Sequence, residues 1–450
     1  MSTALLPSGW MDGVRIRIGD DGRIEAVEVE VAPKPDDMLL RDAALLPAPC
    51  NLHSHTFQRA LTGRNQMRGA GEDSFWTWRT LMYQSLDRMT PDDIEAIAAL
   101  AFVEMLEAGF GAVGEFHYVH HDATGRPYSA LAETSERIMA AASAAGIGLT
   151  LLPVLYMQAG ADGRGVSGGQ RRFANSQDRF ACLIEAARTA LAKGPDDWAI
   201  GVAPHSLRAV PLEVIASLRD MAPEGPLHIH AAEQTAEVDE ILAVHGARPI
   251  QLLLDQIGLD SSSCVVHATH MAEDEVSGLA ASGAVAGLCP VTEADLGDGL
   301  FAGVSYTDSR GIYGVGTDSN VRISLRDELR VLDYGQRLLN RKRVVMADPD
   351  GSTGRALFDA ACLGGARALG RSSGDIRPGA WADLLTLDRN DLTLHGQSGD
   401  ALLDAWVFSG NDQTIRDVWS AGRHVVREGE HVARAEIEAR FRKTLDRLFR

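Results

Sequence analysis

Eight short apolar runs separated by polar, helix-forming stretches constrain this chain more than any other feature. The first ends at His53, and the others span 112–119, 148–156, 199–203, 227–231, 264–267, 284–288 and 311–318. Parallel strands covered on both faces read as continuous apolar runs, whereas half-exposed strands alternate. Between the runs lie helices such as 91–108. Thr90 caps that helix, Pro91 opens it, Asp92 and Asp93 fill its first turn, and Gly109 follows its end. Eight strand segments alternating with helices predict a (β/α)8 barrel within an α/β fold.

The two ends have a different texture. Residues 10–31 alternate in β fashion (VRIRI, RIEAVEVEV) around Gly19-Asp-Asp-Gly22, a hairpin signal, and 381–388 and 415–426 resemble them. We therefore expect a small β-sandwich built from residues 1–47 and 373–433, a barrel over 48–372, and a closing helix in 434–450. The chain's 450 residues accommodate a barrel of about 250 residues with an appended domain. Residues 159–172 are too glycine-rich to form a regular element. Their Gly163-x-Gly165-x-x-Gly168 pattern matches a dinucleotide fingerprint only formally, since 157–162 separates it from the preceding strand. The segment reads as a mobile loop over the barrel mouth.

A net charge of −19 disfavours nucleic acid and anionic membranes, which attract clustered lysine and arginine. Five scattered cysteines without a CxxC pair fit reduced thiols in the cytoplasm. No apolar run is long enough for a membrane span, and the first residues lack a signal-peptide pattern.

Side chains at the C-terminal ends of barrel strands converge on one pocket. Those ends carry His53 and His55, His117 and Tyr118, His205 and Arg208, His230 and Glu233, His267 and His270, and Thr317 and Asp318. Histidines at i and i+2 of a strand share a face, so His53 and His55 aim at one point. The same parity leaves His228 and His230 as alternatives, although His230 lies nearer its strand end. Imidazoles with a carboxylate suit Zn2+, with Fe2+ or Mn2+ as alternatives. A metal lowers the pKa of bound water to about 7, which implies metal-assisted hydrolysis.

The segments NLHSHTFQRAL, SFWTWRTLMY, GEFHYVHH, APHSLRAV, HIHAAEQTAEVDE, HATHM, GLCPVTEADLGDG and GTDSNVRISLRDELRVLDYGQR resemble the amidohydrolase superfamily. Within its nucleoside- and base-deaminase branch they are most similar to the N-formimino-L-glutamate deiminases. Val291 and Asp295 depart from that group's usual Thr and Asn. The resemblance implies one Zn2+ held by His53, His55, His230 and Asp318, with Glu233 and His267 moving protons and Asp318 accepting one from the attacking water. It assigns substrate contacts to Gln58, Arg79, Tyr118, His205 and Arg208. It further implies a homodimer acting on a small anionic substrate, converting N-formimino-L-glutamate to N-formyl-L-glutamate and ammonia in histidine degradation. Deamination of an aromatic base such as guanine is the alternative, and it would need neither Arg79 nor Arg208. A non-catalytic metal-binding protein would have no need of the complete set Glu233, His267 and Asp318. His270 is expected behind the metal shell, Trp76 and Trp78 beside the Arg79 segment, and His424 and His431 in solvent.

Overall fold

A computed structural model describes residues 2–64, 66 and 82–449. Among the described residues, eight parallel strand positions form its centre, in a five-stranded and a four-stranded sheet. One contains Cys50–Ser54, Ala112–His117, Gly148–Leu155 and Ala203–Pro204, with Ala199–Ile200 also pairing to Gly148–Leu155. The other contains Leu227–Ala231, Ser263–His267, Val285–Leu288 and Ile312–Val315. Isolated parallel bridges close the barrel at both seams: Val202 to Leu227 and Ser206 to His230 on one side, Ser54 to Asp318 on the other.

The last seam carries the first and last candidate ligands. The His55 amide donates to the Asp318 carbonyl at 2.8 Å, and the Asp318 amide donates to the His53 carbonyl at 3.0 Å. Gly316 permits this approach, because a Cβ there would lie 2.7 Å from both the backbone nitrogen and oxygen of His53. The first and eighth strands are thus fixed to each other by backbone, independently of any ion.

Strand bounds differ from expectation where backbone chemistry intervenes. The expected run 199–203 is split into two-residue pieces around Gly201, whose amide turns to the Leu151 carbonyl. The eighth strand stops at Val315, and Asp318 and Asn320 beyond it have positive φ. The helix Pro91–Glu107 begins in a reciprocal capping box between Thr90 and Asp93.

Both chain ends build one seven-stranded sheet, ordered Glu430–His431, Arg423–Arg427, Ile415–Ser420, Leu384–Asp388, Ala43–Pro47, Thr3–Leu6, Gly9–Asp12. The expected hairpin pairs Arg15–Ile18 with Ile24–Glu28. This sheet is joined to the barrel by buried ion pairs. The Arg371 guanidinium donates to Asp383 at 2.7 Å and Asp197 at 3.1 Å, and Arg423 reaches Asp197 at 2.7 Å. The closing helix runs Arg434–Phe449 and returns to the helix Pro91–Glu107 through Arg440 to Glu95 at 2.8 Å.

Three expectations need correction. His424 is not solvated, since its ring stacks on Trp419 at 4.3 Å and bonds Asp417 at 3.0 Å. His431 is buried and donates to the Ala145 carbonyl. The glycine-rich segment does hold an element, the 3-10 turn Gly168–Arg172, with Arg172 buried beneath it. Among the described residues no helix is long and apolar enough to cross a membrane, and all five cysteines are free.

Candidate metal centre and its pocket

His53 and His55 leave the first strand end, His230 the fifth, and Asp318 the turn after the eighth. Their donor atoms all lie within 4.8 Å of one another. His53 Nε2 is 3.2 Å from His55 Nε2 and 3.0 Å from His230 Nε2, while Asp318 Oδ1 is 3.5 Å and 3.1 Å from the His53 and His55 nitrogens. Ligands at about 2.1 Å from a tetrahedral ion are about 3.4 Å apart, so these spacings are those of a cage around one cation.

The outer hydrogen bonds determine which nitrogen faces inward. His55 Nδ1 donates to the Phe116 carbonyl and His230 Nδ1 to the His205 carbonyl, both at 3.0 Å. A ring that donates through Nδ1 presents an Nε2 lone pair to the centre, which is the arrangement of a metal-bound imidazole. Burial pushes His53 down to about 3, with Asp318 opposing. Burial and the surrounding imidazoles lower His230 well below its ordinary value. Against burial, which raises it, hydrogen bonds with His53 and His55 hold the Asp318 carboxyl well below the usual carboxylate range. Neutral imidazoles and an ionised carboxylate are the protonation states that bind a divalent cation. The donor set therefore fits a metal.

Beside the cage, His267 Nε2 is 3.8 Å from Glu233 Oε1, and His267 Nδ1 is 3.2 Å from Glu293 Oε1. Burial lowers the His267 pKa, but Glu233 and Glu293 outweigh it and bring it up to about 10. Burial raises Glu233, partly offset by His267 and Arg208. Positive φ at Ala232, His267, Ala268 and Asp318 concentrates backbone strain at this rim, as active sites commonly do.

Of the expected substrate contacts, Gln58, Tyr118, His205 and Arg208 line the same cavity as Glu233, His267 and the cage members His55, His230 and Asp318. Arg79, with Trp76 and Trp78, lies outside the described residues. Arg208 is buried, its closest carboxylate is Glu233 at 3.8 Å, and its Nε has no hydrogen-bond partner among the described residues. The Tyr118 hydroxyl accepts from Gln58 Nε2 at 2.9 Å. Three strand-end histidines lie apart from the cage. His117 bonds Thr134, His270 donates to the Asp298 carbonyl, and His228 donates to the Ala368 carbonyl. His230 is thus the cage member of its pair. Val291 and Asp295 do not line the cavity.

Two acidic residues here escape sequence reasoning. Glu293 accepts both His267 Nδ1–H and the Cys289 amide. It sits in the first turn of Pro290–Leu296, where an acidic residue ordinarily reads as complementing the helix dipole. Glu237 accepts the amides of Ala232 and Glu233 at 3.3 and 3.0 Å and so fixes the turn that presents Glu233.

Comparison with known proteins bears on this arrangement. Residues 44–425 match the model of the amidohydrolase family, and residues 2–40 match that of the formimidoylglutamate deiminase HutF N-terminal domain. A formimidoylglutamate deiminase from Pseudomonas aeruginosa is 47% identical over 447 residues, covering 99% of this chain and 98% of that protein. A 5-methylthioadenosine/S-adenosylhomocysteine deaminase from Natronomonas pharaonis is 29% identical over 80% of this chain and 74% of its own. Among solved structures, an amidohydrolase from Brucella melitensis superposes with a TM-score of 0.95 at 47% identity, covering 100% and 99% of the two chains. An adenosine deaminase from Xanthomonas campestris with bound zinc gives 0.80 at 22% identity, covering 99% and 98%, a likeness of fold.

Proposed function

The chain belongs to the amidohydrolase family, and we propose on that premise that it hydrolyses N-formimino-L-glutamate to N-formyl-L-glutamate and ammonia. The full-length relative supplies the activity. The observation that carries the substrate class is Arg208, a buried guanidinium beside the cage with no carboxylate closer than 3.8 Å among the described residues. A buried cation without a close, hydrogen-bonded partner is costly, and a substrate carboxylate relieves that cost by forked hydrogen bonding. An aromatic base offers no such group.

His53, His55, His230 and Asp318 would hold one divalent cation, for which Zn2+ fits the donors best. Bound there, it supplies Lewis acidity and lowers the pKa of water. The protein's own groups handle the protons. Asp318, kept ionised, accepts the proton released as water oxygen bonds to the formimino carbon. Glu233 and His267, 3.8 Å apart, deliver protons to the terminal nitrogen as the C–N bond breaks and ammonia leaves. Arg208 and Arg79 hold the carboxylates. We further propose that the protein works in histidine degradation, in the cytoplasm and as a homodimer.

The test is ammonia release from zinc-loaded protein given formiminoglutamate, formiminoaspartate or guanine in turn. Turnover of formiminoglutamate at least about a hundredfold above guanine is expected, since a buried polar site strongly rejects ligands that leave it unpaired. Preference for guanine would overturn the reading.

Glu293 supplies a second prediction. In Glu293→Gln the amide oxygen can still accept from both Cys289 and His267 Nδ1, which share Oε1, but the negative charge that helps hold the His267 proton is lost. A fall in kcat of about 10–100-fold with KM little changed is expected from steady-state kinetics. An unchanged kcat would remove Glu293 from the proton-handling group.

A further inference from the structure

We propose that Tyr156 and Arg208 together form a subsite for one substrate carboxylate, and that Gln170, carried by the glycine-rich segment, sets the direction in which the Tyr156 hydroxyl donates. The inference rests on the reading above and extends it to two residues that the family resemblance did not supply.

Tyr156 directly follows the strand Gly148–Leu155 and lines the cavity with His205, Arg208 and Glu233. Its ring is fixed edge-on against His205 at 4.9 Å and Phe173 at 5.9 Å, and its carbonyl accepts the Asn175 amide. The side chain is buried at 6% exposure, so its hydroxyl needs a defined role.

The hydrogen-bond sequence leaves one polarity. The Ser167 backbone amide donates to Gln170 Oε1 at 3.2 Å, and a backbone amide can only donate. The opposite face of the amide is therefore its NH2, which donates from Nε2 to the Tyr156 oxygen at 2.9 Å. That bond uses the tyrosine oxygen as acceptor. The hydroxyl hydrogen then points elsewhere, and no described residue accepts it. Arg208 lies beside Tyr156, since the Met157 amide donates to the Ala209 carbonyl at 2.8 Å, and the Arg208 Nε is unpartnered. A tyrosine donor and a guanidinium with no carboxylate closer than 3.8 Å among the described residues, lining one cavity, recognise a carboxylate.

The glycine-rich segment thereby acquires a purpose. Its cap between Ser167 and Gln170 delivers one amide to the cavity wall, where it determines the proton direction on Tyr156. The Gln58–Tyr118 pair, in the same cavity lining, has the same chemistry without the backbone lock, because Gln58 Oε1 has no partner among the described residues.

Three single variants and one double variant of the full zinc-loaded protein test this. Tyr156→Phe keeps the ring packing and removes the donor; it should raise KM for formiminoglutamate about tenfold or more, the scale of a hydrogen bond to a charged group, with kcat nearly unchanged. Gln170→Glu offers oxygen on both faces, so Tyr156 donates to it and turns from the substrate. It too should raise KM, and in the double variant the two effects should be strongly non-additive. Gln170→Leu checks that loop packing alone does not produce the effect, and it should cost less than Gln170→Glu. Calorimetric binding of glutarate, a dicarboxylate with no reacting group, gives a readout independent of turnover, with affinity expected to fall in Tyr156→Phe by the same factor. Unchanged KM and unchanged glutarate affinity in Tyr156→Phe would overturn the subsite. Wild-type protein that binds glutarate but releases no ammonia from formiminoglutamate would overturn the catalytic reading and leave the subsite standing.

Discussion

Asp318→Asn is expected to lower kcat/KM for formiminoglutamate by about a thousandfold or more, the upper part of the range for loss of a positioned general base, while the protein stays folded. Asparagine keeps the volume and one carbonyl oxygen but cannot carry the charge that balances a cation or take a proton from water. The fold should survive for a backbone reason. Asp318 has φ of +44°, in the left-handed region that asparagine tolerates better than other residues with a Cβ. The seam bonds to His53 and His55 use its main chain, which the substitution leaves in place. Alanine would confound the result by straining that turn. Kinetics alongside circular dichroism and metal content separate the contributions. Retained metal with lost kcat assigns the loss to proton transfer, and lost metal assigns it to the cage. A loss under tenfold with full zinc content would remove Asp318 from the chemistry.

The parts of this site legible in the sequence are those governed by strand parity and strand ends. His53 and His55 converge because residues two apart on a strand share a face, and His230 is separated from His228 by its height along the same strand. The order of strands follows from eight apolar runs, and Gly316-Thr-Asp318 marks the last turn. Less legible is whatever depends on contacts between loops. Glu293 meets His267 across 26 residues and Gln170 meets Tyr156 across 14, and neither pair has a spacing that local periodicity can register. His117 was equally well placed by sequence, yet it turns to Thr134 on the following helix, because a strand-end position does not fix the direction taken once the backbone leaves the sheet. His424 and His431 were misjudged for a related reason. On the outer sheet one histidine, half-buried, stacks on a cross-strand tryptophan and the other, buried, caps a helix carbonyl, contacts that position in the sheet alone does not reveal.

Arg208→Met should divide activity from stability in opposite directions. For activity, removing the cation that would pair with a substrate carboxylate costs about 2–5 kcal/mol, or roughly a thirtyfold to several-thousandfold loss in kcat/KM. Most of that loss should appear in KM if the carboxylate is held equally in ground and transition states. For stability the sign reverses. Burial works against the charged form of Arg208, and its charge is sustained by Glu237 and Glu233 rather than by a close ion pair. Its Nε is unsatisfied, so the substrate-free protein bears a desolvation cost that methionine, of similar length, removes. Thermal unfolding of the substrate-free variant should therefore occur at the wild-type temperature or above it. Saturating glutarate should raise the wild-type melting temperature and shift the variant less, since a ligand stabilises only the state that binds it. An arginine that served merely as a structural ion pair would show the contrary pattern, with a lower melting temperature in Arg208→Met and little change in KM. The two measurements thus separate a site waiting for an anion from a pair already complete.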